Sequence, residues 1–406
     1  MRILFLSTWF PYPPDNGSKL RVYHLLRALA QAHEVTLISF AFDTAQPDQP
    51  GDLRSLCADV QAVRVNPFAV NRAGALRTFL SARPMASRPI PAMSQLVADV
   101  WRSGTFAAVV ASTEMTAEYA LRAQRVPPGT ARILEGHNSM TRWMRERYAA
   151  QTNPLQRLRC WASWQKTRRY EAGLFGRFDL VTMVSEQDRA VCQTDLPGYW
   201  GRVEVVCNGV DCDHNRPGLA QPQPEALVFN GSLTYSANYD AMRWFLAEVY
   251  PRIKGERPGV TVTITGATRG VDLAGLALDD TVRLIGFVED VRLPVARATI
   301  CVAPIRQGGG TRLKILEAMA LGTPVVATSK GAEGLDVADG EHLLLADDPE
   351  TFANCTVELL DNQNLRQRLA AKARRLVEEG YDWQAIGARF VDLVEAAVRE
   401  KGGRTA

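Results

Sequence analysis

Between Pro304 and Ala320 the chain carries three consecutive glycines, Gly308, Gly309 and Gly310, followed by Thr311, Arg312, Lys314 and Glu317. An apolar run closes at Ala303, and Leu313, Leu316 and Ala320 recur at helical spacing. The glycines therefore lie between a strand and a helix expected to begin near Thr311. That order of residue types suits a diphosphate. Glycines let the backbone approach a ligand closely. The unsatisfied N–H groups and dipole of a helix start attract an anion. Arg312 and Lys314 add positive charge where it opposes the helix dipole, so helix stability does not account for them. Glu317, one to two turns further on, can accept two hydrogen bonds from a ribose cis-diol, as acidic residues do in dinucleotide sites. Taken singly, the same residues also read as a glycine-rich turn with solvated basic side chains and an ordinary surface carboxylate.

Other chemistries find less support. The seven cysteines, Cys57, Cys160, Cys192, Cys207, Cys212, Cys301 and Cys355, form no CxxC pair, and the five histidines do not cluster near them. Neither a disulfide framework nor a zinc site is expected, and reduced thiols in a cytosol fit better. No metal site is assigned, since a DxD-like acidic motif is missing beside the glycine run. The loop Pro11–Gly17 lacks the GxGxxG spacing of a nicotinamide dinucleotide site. With 47 basic and 44 acidic residues the net charge is +3, too balanced for the whole chain to bind nucleic acid.

These residues need elements to hold them. The 406 residues leave room for two or three domains. Ile3–Leu6 is a continuous apolar run, as expected of a strand buried on both faces; Val22, Leu25, Leu26 and Leu29 mark a helix; Val35–Phe40 is the next strand. The N-terminus reads as this first strand rather than a signal peptide. Further strands are expected at Ala107–Ala111, Arg132–Leu134, Leu180–Val184 and Val203–Val206, with one helical stretch from Met140 to Arg177. Residues 43 to 105 are harder to read, with Arg83-Pro84 and Arg88 to Pro91 marking loops. A proline-bearing linker spans Pro217–Pro224. Strands follow at Leu227–Phe229, Val260–Thr265, Val282–Ile285, Ile300–Ala303, Pro324–Ala327 and Leu343–Leu345, with helices between. Such alternation implies two α/β lobes with mostly parallel sheets. No short internal repeat is visible.

The segment Leu316–Ala327 resembles the donor-site signature of retaining family-4 (group 1) glycosyltransferases of the GT-B fold. Asn208–Asp211 is similar to that family's interdomain motif, Gly286-Phe287-Val288 to the loop that meets the nucleotide base, and Gly331–Leu335 with Asp339-Gly340 to the stretch after the signature. Pro13–Gly17 resembles its glycine-bearing first loop, and Glu135–Asn138 the segment that places a histidine in the cleft. The resemblance covers most of the chain. It implies two Rossmann-like domains facing a central cleft, with a C-terminal helix crossing back to the N-terminal domain. The expected limits are 1–207 plus 383–406 for an acceptor-side domain, and 208–382 for a nucleotide-sugar donor domain. Two departures stand out. Where the family often has two glutamates seven residues apart, Glu317 is the second and Gly309 occupies the first position. Where it often has Arg and Lys after the first strand of the second domain, residues 230 to 238 contain no base. A branch of the family carries a Gly-Gly-Thr-Arg-Leu-Lys-like loop, which this segment resembles, so the departures read as a variant site.

The resemblance further implies glycosyl transfer with retention at the anomeric carbon, without a resident cofactor. The co-substrate is a nucleotide sugar, UDP- or GDP-linked, and the acceptor a glycan or lipid-linked molecule. His137, Arg312 and Lys314 are the catalytic candidates, with His137 facing the donor sugar or, alternatively, serving as a local cap at a strand end. Gly17, Ser18, Gly231, Ser232, Val288, Gly308, Gly309, Gly310, Thr311 and Glu317 are the donor-binding candidates, and Glu114 a weaker acceptor-side one. Polysaccharide or glycolipid assembly in the cytoplasm, at the inner face of the membrane, is the family-level expectation. A nucleotide-sugar epimerase and a non-catalytic GT-B binding protein are the competing readings.

One feature stands apart from the sugar chemistry. From Arg142 to Arg169, basic residues interleave with Trp143, Trp161 and Trp164, and only Glu146 is acidic. Such a stretch can lie on an anionic membrane; the alternative is a solvated helix whose tryptophans pack inward. No nucleic-acid-binding motif accompanies the charge.

Overall fold

The computed structural model of the chain describes residues 1–42, 47–69, 89–122, 127, 129–308 and 312–405. The donor-binding candidates Gly309, Gly310 and Thr311, and the loop markers Arg83, Pro84 and Arg88, lie outside the described residues. The chain divides into two compact units, Met1–Cys207 with Ile386–Ala406, and Asn208–Ala385.

The first unit is built on β1 (Arg2–Ser7), α1 (Gly17–Ala32), β2 (Glu34–Phe40), α2 (Leu53–Leu56), β3 (Asp59–Val63), α3 (Pro91–Ser103), β4 (Ala108–Ser112), α4 (Glu114–Arg122), β5 (Ala131–Glu135), α5 (Met140–Ala149), α6 (Pro154–Phe175), β6 (Leu180–Met183), α7 (Glu186–Thr194) and β7 (Val203–Val205). Its seven strands pair in the order β3-β2-β1-β4-β5-β6-β7, and every pairing is parallel. Ile3 to Leu6 are fully buried, as an apolar run in a sheet covered on both faces requires. The expected single helix from Met140 to Arg177 is two helices. Asn153 caps the second, accepting from the N–H groups of Leu155 and Gln156, and Pro154 takes its first position, where no N–H is needed.

The second unit contains β8 (Ala226–Asn230), α8 (Ser236–Trp244), α9 (Tyr250–Glu256), β9 (Thr261–Thr265), β10 (Val282–Gly286), α10 (Arg292–Arg297), β11 (Ile300–Ala303), α11 (Leu313–Ala320), β12 (Val325–Ala327), β13 (Leu344–Leu345), α12 (Pro349–Asp361) and α13 (Gln363–Gly380). The strands pair in parallel in the order β10-β9-β8-β11-β12-β13. Both sheets are thus wound outward from their first strand. The winding reverses between β1 and β4 in one and between β8 and β11 in the other. Open parallel sheets bind ligands at that reversal, outside the carboxyl ends of the strands.

The last helix, α14 (Trp383–Thr405), begins in the second unit and belongs to the first from Ile386 onward. There it packs tightly on α1: a Cβ at Gly387 would lie 2.6 Å from that of Ala28. Glu395 pairs with His33 at 3.3 Å and Lys401 with Asp179 at 2.8 Å.

Candidate functional site

In the second unit, Gly231, Lys314 and Glu317 come together at the reversal between β8 and β11. Asn230 ends β8, and its Nδ2 donates to Glu317 Oε2 at 2.8 Å. Lys314, in the first turn of α11, donates from Nζ to Asn238 Oδ1 at 2.8 Å, and the same ammonium lies 4.0 Å from the centroid of the Phe229 ring. Asn238 Nδ2 in turn donates to Ser232 O at 2.8 Å, tying the β8–α8 loop to the cation. Gly231 makes this approach possible, because a Cβ there would meet Lys314 Nζ at 2.8 Å. A lysine from α11 thus reaches the loop after β8, where residues 230 to 238 contain no base.

Electrostatics follow from enclosure. Both residues keep part of their surface accessible, but the charged ends lie inward. Burial pushes the Lys314 ammonium down to about 7 and the Glu317 carboxyl up to about 7. The neighbouring charges of the pair partly offset this, as does the Asn230 hydrogen bond to the carboxylate. Glu317 is thus no ordinary surface carboxylate.

Arg312 sits just before α11, which starts at Leu313 rather than near Thr311. It is buried, and its Nη2 donates to Gly308 O at 2.6 Å. Gly308 has φ +91°, a conformation open to glycine and strained for other residues, and a Cβ there would come within 3.1 Å of the Tyr235 hydroxyl. Ser232 Oγ is engaged with Thr234 Oγ1 at 2.7 Å and Ala267 O at 3.1 Å, so it supports the loop. Val288 is half-buried after β10, beside an exposed Phe287.

The first unit has its own polar cluster at the reversal between β1 and β4. Arg21, on α1, meets Glu135, the last residue of β5, at 2.5 Å between Nε and Oε1, both side chains buried. Against a large burial penalty, the Arg21 guanidinium and hydrogen bonds from His137 and Ser112 hold the Glu135 carboxyl well below the usual carboxylate range. Glu135 Oε2 accepts from Ser112 Oγ at 2.8 Å and lies 3.1 Å from His137 Nε2, which is also 3.1 Å from Ser112 Oγ. His137 is therefore anchored through one ring nitrogen. With the Nε2 proton given to the carboxylate, Nδ1 is an acceptor. Thr113 has φ +75°, strained for a β-branched residue, and Thr8 Oγ1 lies 2.7 Å from its hydroxyl oxygen across the reversal. The next residue, Glu114, has a buried Oε1 without a hydrogen-bond partner, and burial raises its pKa. Glu171 lies near it, pushed up to about 8 by burial and the Glu114 charge. At the opening of α1, Asn16 Oδ1 accepts from Ser18 N and Lys19 N, so the Ser18 amide is already engaged in a cap.

Sequence reasoning did not assign Arg21, Ser112, Glu135, Glu171, Asn230 or Asn238. Glu135, Asn230 and Asn238 sit inside segments it had singled out. The partnership of Arg21 with Glu135 spans 114 positions and has no local signal.

Two parallel sheets wound alike, each with a polar cluster at its reversal, define a pair of Rossmann-like domains of GT-B type. Comparison with known proteins identifies which. Residues 16–214 match the model described as Glycosyltransferase Family 4, and residues 224–362 the model described as Glycosyl transferases group 1. The chain belongs to the family-4, group 1 glycosyltransferases. A 44.6 kDa protein in the cps region of Klebsiella pneumoniae is 22% identical over 95% of this chain and 97% of its own length. D-inositol 3-phosphate glycosyltransferase 2 of Catenulispora acidiphila is 30% identical over 54% of this chain and 58% of its own. The match spans about half or less of the mannosyltransferase and glycogen synthase relatives. Among solved structures, sucrose-phosphate synthase from Thermosynechococcus elongatus superposes with TM-score 0.72 at 18% identity, covering 98% of this chain and 99% of that one. Anabaena Alr3699/HepE in complex with UDP gives 0.66 at 17%, covering 98% and 100%.

Proposed function

We propose that this glycosyltransferase moves a sugar from a nucleoside-diphosphate sugar to a glycan or lipid-linked acceptor, with retention at the anomeric carbon. The observation that carries the reading is Lys314, lodged against Gly231 at the β8–β11 reversal, with Glu317 one turn further on the same helix. The ammonium and the start of α11 meet the diphosphate, and Glu317 takes the ribose hydroxyls. As the bond from the anomeric carbon to the β-phosphate oxygen breaks, charge grows on that oxygen, and a fixed cation in an enclosed site stabilises it. The acceptor hydroxyl bonds to the anomeric carbon on the face the phosphate leaves, and the departing phosphate oxygen takes its proton. The resemblance assigns His137 to the donor sugar, and within its own unit Glu135 with Ser112 fixes the ring. The nucleotide sugar is a co-substrate; no resident metal or cofactor enters the scheme.

A UDP-linked donor is supported by the UDP and UDP-glucose complexes of the Anabaena neighbour, and a GDP-linked one by a GDP-mannose-dependent relative from Corynebacterium glutamicum. The cps-region relative supports polysaccharide assembly, and the inositol-lipid mannosyltransferases support a lipid-linked acceptor. On this reading the chain works in the cytoplasm, on the inner face of the membrane. The test is to incubate it with UDP- and GDP-sugars and lipid extracts, and follow the anomeric proton of the product by NMR. The donor's anomeric configuration should persist in the product. An inverted product would remove retention; turnover with no acceptor, interconverting sugars, would indicate an epimerase.

A further inference from the structure

We propose that the free end of the α5–α6 hairpin is a docking surface for anionic lipid headgroups. The hairpin is rooted at its other end, where the buried Glu171 on α6 accepts from Met140 N and Thr141 N at the start of α5. Toward the turn, Tyr148 stacks on Trp164 at 5.8 Å, and Arg157 lies 4.8 Å over the Tyr148 ring. These contacts join the two helices to each other. On the outer side three large apolar residues face solvent: Leu155 is 80% exposed, Leu158 62% and Trp161 45%. Spaced three residues apart on a helix, they turn by about 60° per step and make a single arc of about 120°. Arg157 and Arg159, both exposed, flank that arc on its two sides.

Exposed leucines at the tip of a hairpin need a cover, and charge identifies it. Of the eight basic residues from Arg142 to Arg169, Arg142 and Arg145 pair with acids of the same unit, Arg147, Arg157, Arg159 and Arg169 are exposed, and the one acid in the span, Glu146, is taken up by Arg142. Two copies of so positive a surface repel each other, which disfavours self-association. An anionic bilayer satisfies both features: leucine and tryptophan side chains enter the boundary between headgroups and acyl chains, and the arginines stay among the phosphates. The attachment is peripheral, since no helix among the described residues is long and apolar enough to cross a membrane. This inference rests on α5 and α6 alone and stands apart from the sugar-transfer reading.

The test is co-sedimentation of the full chain with vesicles of phosphatidylcholine, with and without one-third phosphatidylglycerol. The chain should partition onto the anionic vesicles and be released by salt, as screening requires. Replacing both leucines (L155S/L158S) should lower partition at least tenfold, and R157A/R159A about fivefold per arginine. The melting temperature of L155S/L158S should stay unchanged, because both leucines are exposed and make none of the contacts that join the two helices. Four results would overturn the proposal. One is no binding to anionic vesicles, and another is equal binding to neutral ones. A third is loss with the arginine variant but none with the leucine variant, which means general attraction to polyanions such as nucleic acid. The fourth is sedimentation of the chain alone as a dimer that L155S/L158S dissolves, which makes a second copy the cover.

Discussion

Lys314 shows how one side chain can be read from both sequence and structure. Its position after a glycine run marked it as a diphosphate ligand, but only the structure shows its ammonium held down to about 7 by burial. The sign of the consequence is definite. In the folded chain the group loses its proton far below its ordinary value, so the buried charge costs stability below about pH 7. That cost is relieved as pH rises from there toward the value of the unfolded chain. A bound diphosphate reverses the preference and draws the proton back. Nucleotide affinity should therefore fall as pH rises from 7.5 to 9.5, where the phosphates themselves no longer titrate, and binding at pH 8 should take up a proton. Calorimetry in buffers of different ionisation heat measures this uptake. Lys314→Met should abolish it and weaken binding at least tenfold, in line with the loss of a charge-assisted contact. The residues that escaped sequence reasoning are those whose role depends on a distant partner: Arg21 finds Glu135, and Asn238 finds Lys314, through the fold and through no local pattern.

The elements were legible where a single periodicity ruled. Val22, Leu25, Leu26 and Leu29 gave α1, and continuous apolar runs gave β1 and β2, because burial on one stripe or on both faces leaves its mark on composition. Boundaries were less so. The α5–α6 break depends on Asn153 and Pro154, which a reading dominated by basic residues passed over, and α11 starts two residues later than expected. The return of the last helix to the first domain was expected only by resemblance; Ile386, Phe390 and Val394 are buried along it, and the absence of a side chain at Gly387 lets it approach α1 closely. Gly387→Val should overpack that contact and cost about 1–3 kcal/mol, read as a lower midpoint in urea. Ala28→Gly, which opens the space on the opposite helix, should restore part of the loss when combined with it. A neutral Gly387→Val variant would mean that the two helices do not pack this closely.

At the scale of the molecule, the two units share one order over six strands, which β7 extends in the first, without a visible sequence repeat. The likeness lies in winding, a rule of connection and handedness that many sequences satisfy. That is why the α/β class and two lobes could be read from alternating patterns, whereas the pairing order needed coordinates. The same winding places a polar cluster at each reversal, and the second unit's cluster, with Lys314 and Glu317, is the one the proposed function assigns to a nucleoside diphosphate. The most direct test is calorimetric titration of the native chain, Lys314→Ala and Glu317→Ala with UDP, GDP, ADP and dTDP. The account predicts saturable binding of one of these nucleotides to the native chain, weakened at least tenfold in both variants. Binding that neither variant weakens, or no binding of any of the four, would contradict it.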